Sequence, residues 1–226
     1  MWCIPELTRE YAERMEDVLN LYEKPLNPKE PVVCLDEKPV QLLEDARESI
    51  VADKPGAIFK RDYEYVRGGT ANVFCAVEPR AGRHLTRVTR NRKGPEFAKM
   101  IAGIARVYPG KKTIHLVMDN LSTHGKKSLT DFYGEKRGGK IWGMFTPHYT
   151  PKHASWLDQA EIEIGIFSRQ CLGKDRIGSI KALRLRANAW NRRMNSQRRK
   201  INWSFTVLNA REKFRYKSVR FIRSEH

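Results

Sequence analysis

Two aspartates stand where apolar runs stop. Residues 32–35 (VVCL) lead into Asp36, and residues 114–118 (IHLVM) lead into Asp119. Runs that apolar belong in a buried strand, and a carboxylate at the end of one either caps a turn or meets a cation. Each is followed by a polar residue, Glu37 and Asn120. If the two strands are neighbours, both carboxylates sit at one end of one sheet. Bare, they would repel and raise one pKa; a divalent cation between them removes the conflict. Oxygen donors without His or Cys favour a hard ion, Mg²⁺ or Mn²⁺. A third acid is offered by residues 154–172, which read as one helix with an apolar stripe at Ala160, Ile164, Phe167 and Cys171. Asp158 and Glu161, three apart, share a face of that helix. Glu163 points to another side, toward solvent or a basic partner. Spacing does not choose between Asp158 and Glu161.

The elements that must position these acids follow from periodicity and turn chemistry. Residues 5–22 read as a helix and 23–31 as a proline-broken linker. Strands fall at 32–37, 71–79 and 113–119, with a hairpin turn at 79–82 leading into 81–90. Residues 94–110 are a helix opened by Pro95 and stopped by Pro109–Gly110. A short helix at 128–133 precedes a basic, glycine-rich loop at 134–140 and a strand at 141–147. Residues 179–200 form a long basic helix. This order gives an α/β domain with a central mixed sheet flanked by helices, and such sheets place ligands at strand ends.

Charge narrows the partner. The 226 residues carry 43 Lys and Arg against 26 Asp and Glu, a net of +17. Residues 1–54 are net −6 and the remainder net +23. A field of that size attracts a polyanion, above all nucleic acid. Residues 173–200 hold ten basic residues and one acid, Asp175. No apolar run is long enough for a membrane span, and residues 1–10 lack the pattern of a signal peptide. The four scattered cysteines form no CxxC pair, which fits a reduced cytosolic protein better than a zinc site or a disulfide scaffold. Phosphate-loop, serine-hydrolase and zinc-protease motifs are absent.

Four stretches, LDEKPVQLLE, VRGGTANVFCAVEP, VMDNLSTH and HYTPKHASWLDQAEIEIGIFSRQCL, occur in order. Together they resemble bacterial insertion-sequence transposases related to the Tc/mariner group, within the DDE superfamily. The resemblance spans residues 4 to 215. It implies an RNase H-like fold, with Asp36, Asp119 and Glu161 as the catalytic acids and as ligands of two Mg²⁺ or Mn²⁺ ions. It thereby selects Glu161 over Asp158. The implied chemistry is in-line displacement at phosphorus, first by water at the element end, then by the freed 3′-OH on target DNA, usually at TA. Asn120 and His124 are then supporting residues that orient Asp119 or touch phosphate. The expected DNA contacts are Lys126, Lys152, Arg169, Lys181, Arg184, Arg192, Arg193, Arg198 and Arg199; Arg67 and Lys127 are weaker candidates. Trp156 reads as core packing rather than a base-stacking platform.

The resemblance divides the chain into an N-terminal helix and linker (1–30), a catalytic domain (31–200) and a C-terminal extension (201–226). It also implies a homodimer on DNA and a cytoplasmic, nucleoid-associated bacterial protein. Three departures stand out. Full-length relatives begin with helix-turn-helix modules, so a separate helix-turn-helix subunit is an expected partner. The interval from Asp119 to Glu161 is long, and the loop at 134–140 is expected to absorb the excess. Asp158 stands where relatives commonly carry Asn. Two other readings share the same residues: an inactive DNA-binding remnant, and an RNase H-like nuclease without strand transfer.

Overall fold

The computed structural model describes residues 7–47 and 63–217. Five strands form one mixed sheet in the order β3-β2-β1-β4-β5. They are β1 (Val32–Asp45), β2 (Tyr65–Glu78), β3 (Arg83–Thr89), β4 (Ile114–Met118) and β5 (Phe145–Tyr149). The first three form an antiparallel meander, and β4 and β5 run parallel to β1. The β2–β3 turn closes at Gly82, where φ is +60° and a Cβ would stand 2.4 Å from the Arg198 carbonyl carbon. Only glycine meets both demands.

Pleat parity decides what each face buries. Val33, Leu35, Phe74, Ala76, Leu116 and Met118 point one way. They pack on Phe97, Ile101 and Ile104 of α2 (Gly94–Val107) and on Leu129 of α3 (Lys126–Tyr133). Cys34, Val77 and Val117 point the other way, against Met15, Val18 and Leu19 of α1 (Arg9–Glu23) and Val207 and Ala210 of α7 (Val207–Phe214). Farther along that same face, Val40, Val73 and Cys75 lie with Phe167 of α5 (Ala160–Phe167). Beside them are Leu183, Ala187, Trp190 and Met194 of α6 (Ile180–Gln197), a stripe at helical spacing. Thr8 caps α1 and Ser179 caps α6, each accepting a backbone N–H of the first turn. Trp156 packs edge-on against Phe205, 5.5 Å between centroids, in the α1-side core.

Three elements near the acids differ from the sequence reading. First, β1 does not stop at Asp36 but continues to Asp45, pairing with β2 through Pro39, opposite Asn72. It pairs with β4 only from Val32 to Cys34. Beyond Cys34 the β4 side of β1 is free of that partner, and a proline is tolerated on such an edge. Second, the glycine-rich stretch is α4 (Glu135–Trp142), and the following strand begins only at Phe145. Gly138 is buried because α4 crosses α3 at close range: a Cβ there would lie 2.5 Å from the Leu129 carbonyl oxygen. The excess between Asp119 and Glu161 is therefore a helical hairpin rather than a loop. Third, residues 154–172 are not one helix. A 3-10 turn (Ser155–Leu157) precedes α5, which ends in a π-helical turn (Ser168–Leu172). The break falls at Asp158, whose backbone is extended and whose Oδ1 accepts the Ala160 N–H at 2.9 Å. An aspartate that caps α5 from outside does not continue a helix through itself.

Gly138→Ala forces a methyl group into the α3 backbone. It should cost about 2 kcal/mol or more and lower the thermal midpoint by about 4–8 °C, read by circular dichroism. An unchanged midpoint would refute the close helix crossing.

Candidate active site

Asp36 and Asp119 are brought together by register. Cys34 pairs with Val117, so the chain positions two residues on, Asp36 and Asp119, stand level on the same face as β1 and β4 part. That face is the one α5 covers, and Glu161 lies in its first turn. Asp36 is half-buried, Asp119 half-buried and Glu161 exposed. Burial, with the charges of Glu37, Asp119 and Glu161, pushes the Asp36 carboxyl up to about 6, although the Glu37 N–H donates to it at 2.7 Å. Asp158 is a fourth carboxylate in the group, buried with Oδ2 unpartnered. Burial and then the charge of Asp36 raise it well above the usual carboxylate range. Because Asp158 lies outside the helix, the shared helix face expected for Asp158 and Glu161 does not exist. The two meet because the capping turn folds back toward α5.

Two buried carboxylate–imidazole pairs flank these acids. Glu37, next to Asp36 but on the opposite face of β1, receives His124 Nε2 at 2.7 Å. His124 Nδ1 lies 3.3 Å from the Asp119 carbonyl oxygen and 2.6 Å from its Oδ1. The ring stacks on Phe97 at 4.7 Å between centroids, and its own carbonyl accepts the Tyr149 hydroxyl at 2.9 Å. Burial disfavours charge on His124, but the hydrogen bonds to Asp119 and Glu37 outweigh it and push the imidazole up to about 10. The second pair is Glu163 with His84 of β3, whose side chains are 1% and 2% exposed. It pins α5 to the sheet edge. Of the two expectations for Glu163, solvent or a basic partner, the structure shows the basic partner.

The remaining expected residues lie on the surface. Asn120 is exposed just after Asp119. Lys126 opens α3, Lys152 follows β5, and Arg169 sits in the π-helical turn, all exposed or partly so. Lys181 and Arg192 lie on the outer face of α6, opposite its buried stripe, and Arg184 and Arg193 flank that stripe. Arg184 donates to the Val88 carbonyl at 3.3 Å and Arg193 to Gln170 at 3.3 Å, so both are partly tethered. Arg198 ends α6 in the left-handed conformation, beside exposed Arg199. Sequence reasoning missed Glu37, and nothing local signals it: its partner is 87 residues away.

The family of DDE superfamily endonucleases matches residues 31–184, an interval that contains Asp36, Asp119 and Glu161. The chain belongs to this family. No curated protein matches the chain. Among solved structures it is similar to the Mos1 mariner paired-end complex with Mn, at 14% identity and a TM-score of 0.56. That match covers 87% of this chain and 59% of the other. The Mos1 strand transfer complex matches at 14% identity and TM-score 0.54, covering 85% and 57%. A Mos1 paired-end complex with left transposon end matches at 12% identity and TM-score 0.55, covering 94% of this chain and 63% of its own. The chain thus spans about three-fifths of the length of these neighbours. The shared architecture is that of the RNase H-like catalytic domain, a mixed five-stranded sheet between helices.

The raised Asp36 carboxyl predicts a stability difference with a defined sign. Its folded-state pKa of about 6 lies above the reference 3.8, so ionisation opposes folding. The cost is absent below pH about 4, grows as pH rises toward 6, and is complete above that. Asp36→Asn should therefore raise metal-free stability by about 1–3 kcal/mol at pH 7.5 and change it little at pH 3.5, measured by urea unfolding. Equal effects at both pH values would show that the Asp36 carboxyl is not raised in the folded state.

Proposed function

We propose that the chain is the catalytic part of a DNA transposase. The observation that carries this reading is the convergence of Asp36, Asp119 and Glu161 where β1 and β4 part, inside the interval matched by the endonuclease family. Asp36, Asp119 and Glu161 are the catalytic acids in this reading. Residues 31–200 are the catalytic domain, preceded by the helix and linker of 1–30 and followed by the extension of 201–226.

The donor set fits hard divalent cations. It is all oxygen, it is mutually repulsive, and a cation relieves that repulsion. As placed, no three His, Cys, Asp or Glu side chains among the described residues enclose one ion. Asp119 and Glu161 nevertheless reach solvent. Two Mg²⁺ or Mn²⁺ ions held by Asp36, Asp119 and Glu161 would supply Lewis acidity at phosphorus and a more acidic attacking water. Mos1 neighbours were solved with Mn and with Mg. The reaction is in-line displacement: water frees a 3′-OH at the element end, and that hydroxyl then displaces a 3′-oxygen in target DNA, usually at TA. Asn120, exposed beside Asp119, is a supporting residue in this reading, orienting Asp119 or touching a phosphate.

DNA is the proposed partner, because the outer face of α6 and the residues Lys126, Lys152 and Arg169 add cations with few neighbouring acids. Phosphate contacts of this kind position the duplex without reading its sequence. A homodimer on paired ends completes the assembly in this reading. No helix among the described residues is long and apolar enough to cross a membrane, and a cytoplasmic, nucleoid-associated protein is proposed.

Labelled DNA with Mn²⁺ tests the proposal. Wild type should nick it and join ends to target, whereas Asp119→Asn should lose both by at least about a hundredfold and still bind DNA at low salt. Nicking without joined products would reduce the protein to a nuclease. Neutralising Arg192, Arg193, Arg198 and Arg199 should instead flatten the salt dependence of binding, by about 0.9 in log–log slope for each phosphate left unneutralised. An unchanged slope would remove α6 from the interface.

A further inference from the structure

Asp119 lies beyond the end of β4, on backbone that no strand neighbour holds. A catalytic acid on a free turn needs its carboxylate oriented by something else. One oxygen already has a neighbour: Oδ1 is buried and in ion-pair contact with His124 Nδ1 at 2.6 Å, while the hydrogen bond of that nitrogen goes to the Asp119 carbonyl oxygen at 3.3 Å. The Asp119 side chain is still 43% exposed. The buried Oδ1 therefore faces the imidazole, and the exposure falls on the rest of the group, Oδ2 included. His124 in turn cannot swing. Its other nitrogen is bound by Glu37, its ring lies flat on Phe97, and its side chain is 1% exposed. Glu37 is fixed because it belongs to β1, the strand that carries Asp36 one residue earlier.

We propose that Glu37 and His124 are positioning residues that hold the Asp119 carboxylate with one oxygen turned inward and the other outward. The relay passes through the sheet. Glu37 anchors it on the α2 face, His124 spans the gap, and Asp119 presents its free oxygen on the α5 face beside Asp36. It couples the orientation of the second acid to the strand that bears the first. The inference rests on the reading of Asp119 as a cation ligand. Partners one step removed from a metal typically change its affinity by about 10–100-fold when removed.

The test uses the full chain, with Mn²⁺ alone as probe, and reads Mn²⁺ affinity by titration calorimetry beside the thermal midpoint and the Mn²⁺ dependence of nicking. His124→Gln is the deciding variant. It removes the ring that Glu37 and Phe97 hold in place, and loss of that orientation weakens Mn²⁺ binding. The expected result is Mn²⁺ binding weaker by about tenfold or more in both His124→Gln and Glu37→Gln. Nicking should be largely recovered at high Mn²⁺, unlike Asp119→Asn, which should not recover. Should either variant unfold, the other carries the result, and Glu37→Gln keeps the shape of the side chain. Unchanged or tighter Mn²⁺ binding in folded His124→Gln would overturn the relay while leaving the transposase reading intact. A wild type that binds no Mn²⁺ would overturn both.

Discussion

Like charges held close together on one face of a sheet dominate this molecule. Asp36, Asp119, Glu161 and Asp158 share a neighbourhood, and burial removes the water that would screen them. Such an arrangement destabilises the fold locally, so it persists only because the surrounding framework leaves the acids no alternative. The sheet supplies that framework. Pairing between β1 and β4 ends at Cys34 and Val117, and at that point the two chains separate with both acids on one side.

The two faces of the sheet divide the work. One carries the acids and is covered by α1, α5, α6 and α7; the other is packed by α2 and α3. His124 stacks on Phe97 of the second face yet reaches Asp119, so the two layers are joined at the site by polar bonds as well as by apolar packing. On the first face, His84 and Glu163 make the corresponding link between β3 and α5, two residues from Glu161. A buried pair of this kind contributes less to net stability than to fixing which residues lie opposite one another.

The sequence was most legible where local pattern and tertiary role coincide. Asp119 follows a largely apolar strand, Ile114–Met118, and stands just past its end; α6 shows its buried stripe in the spacing of Leu183, Ala187, Trp190 and Met194. Asp36 misled because β1 continues through Lys38, Pro39 and Gln41, polar or strand-averse residues that suit an edge free of β4. The stretch 134–140 reads as a loop because its glycines count against helix propensity. Their value lies in the approach of α4 to α3, which no single-segment pattern records. Glu163 is hard to place from sequence because a carboxylate at helical spacing with buried Ala160 and Phe167 makes sense only with its distant partner, His84. Glu37 left no trace, since a bond across 87 residues has no periodicity.

Because α4 is a helix, its charges are held in a fixed array. Lys136, Arg137 and Lys140 on α4, with Lys126 and Lys127 on α3, form a basic helical hairpin, and Arg137 lies over the Tyr133 ring at 4.8 Å. In a flexible loop, gathering such charges around a polyanion would freeze backbone that was free, at about 1–2 kcal/mol for each residue ordered. Here Gly138 has already locked the two helices together. A polyanion that docked on the hairpin would find its backbone already ordered, with Lys127 paired to Asp131 at 2.9 Å.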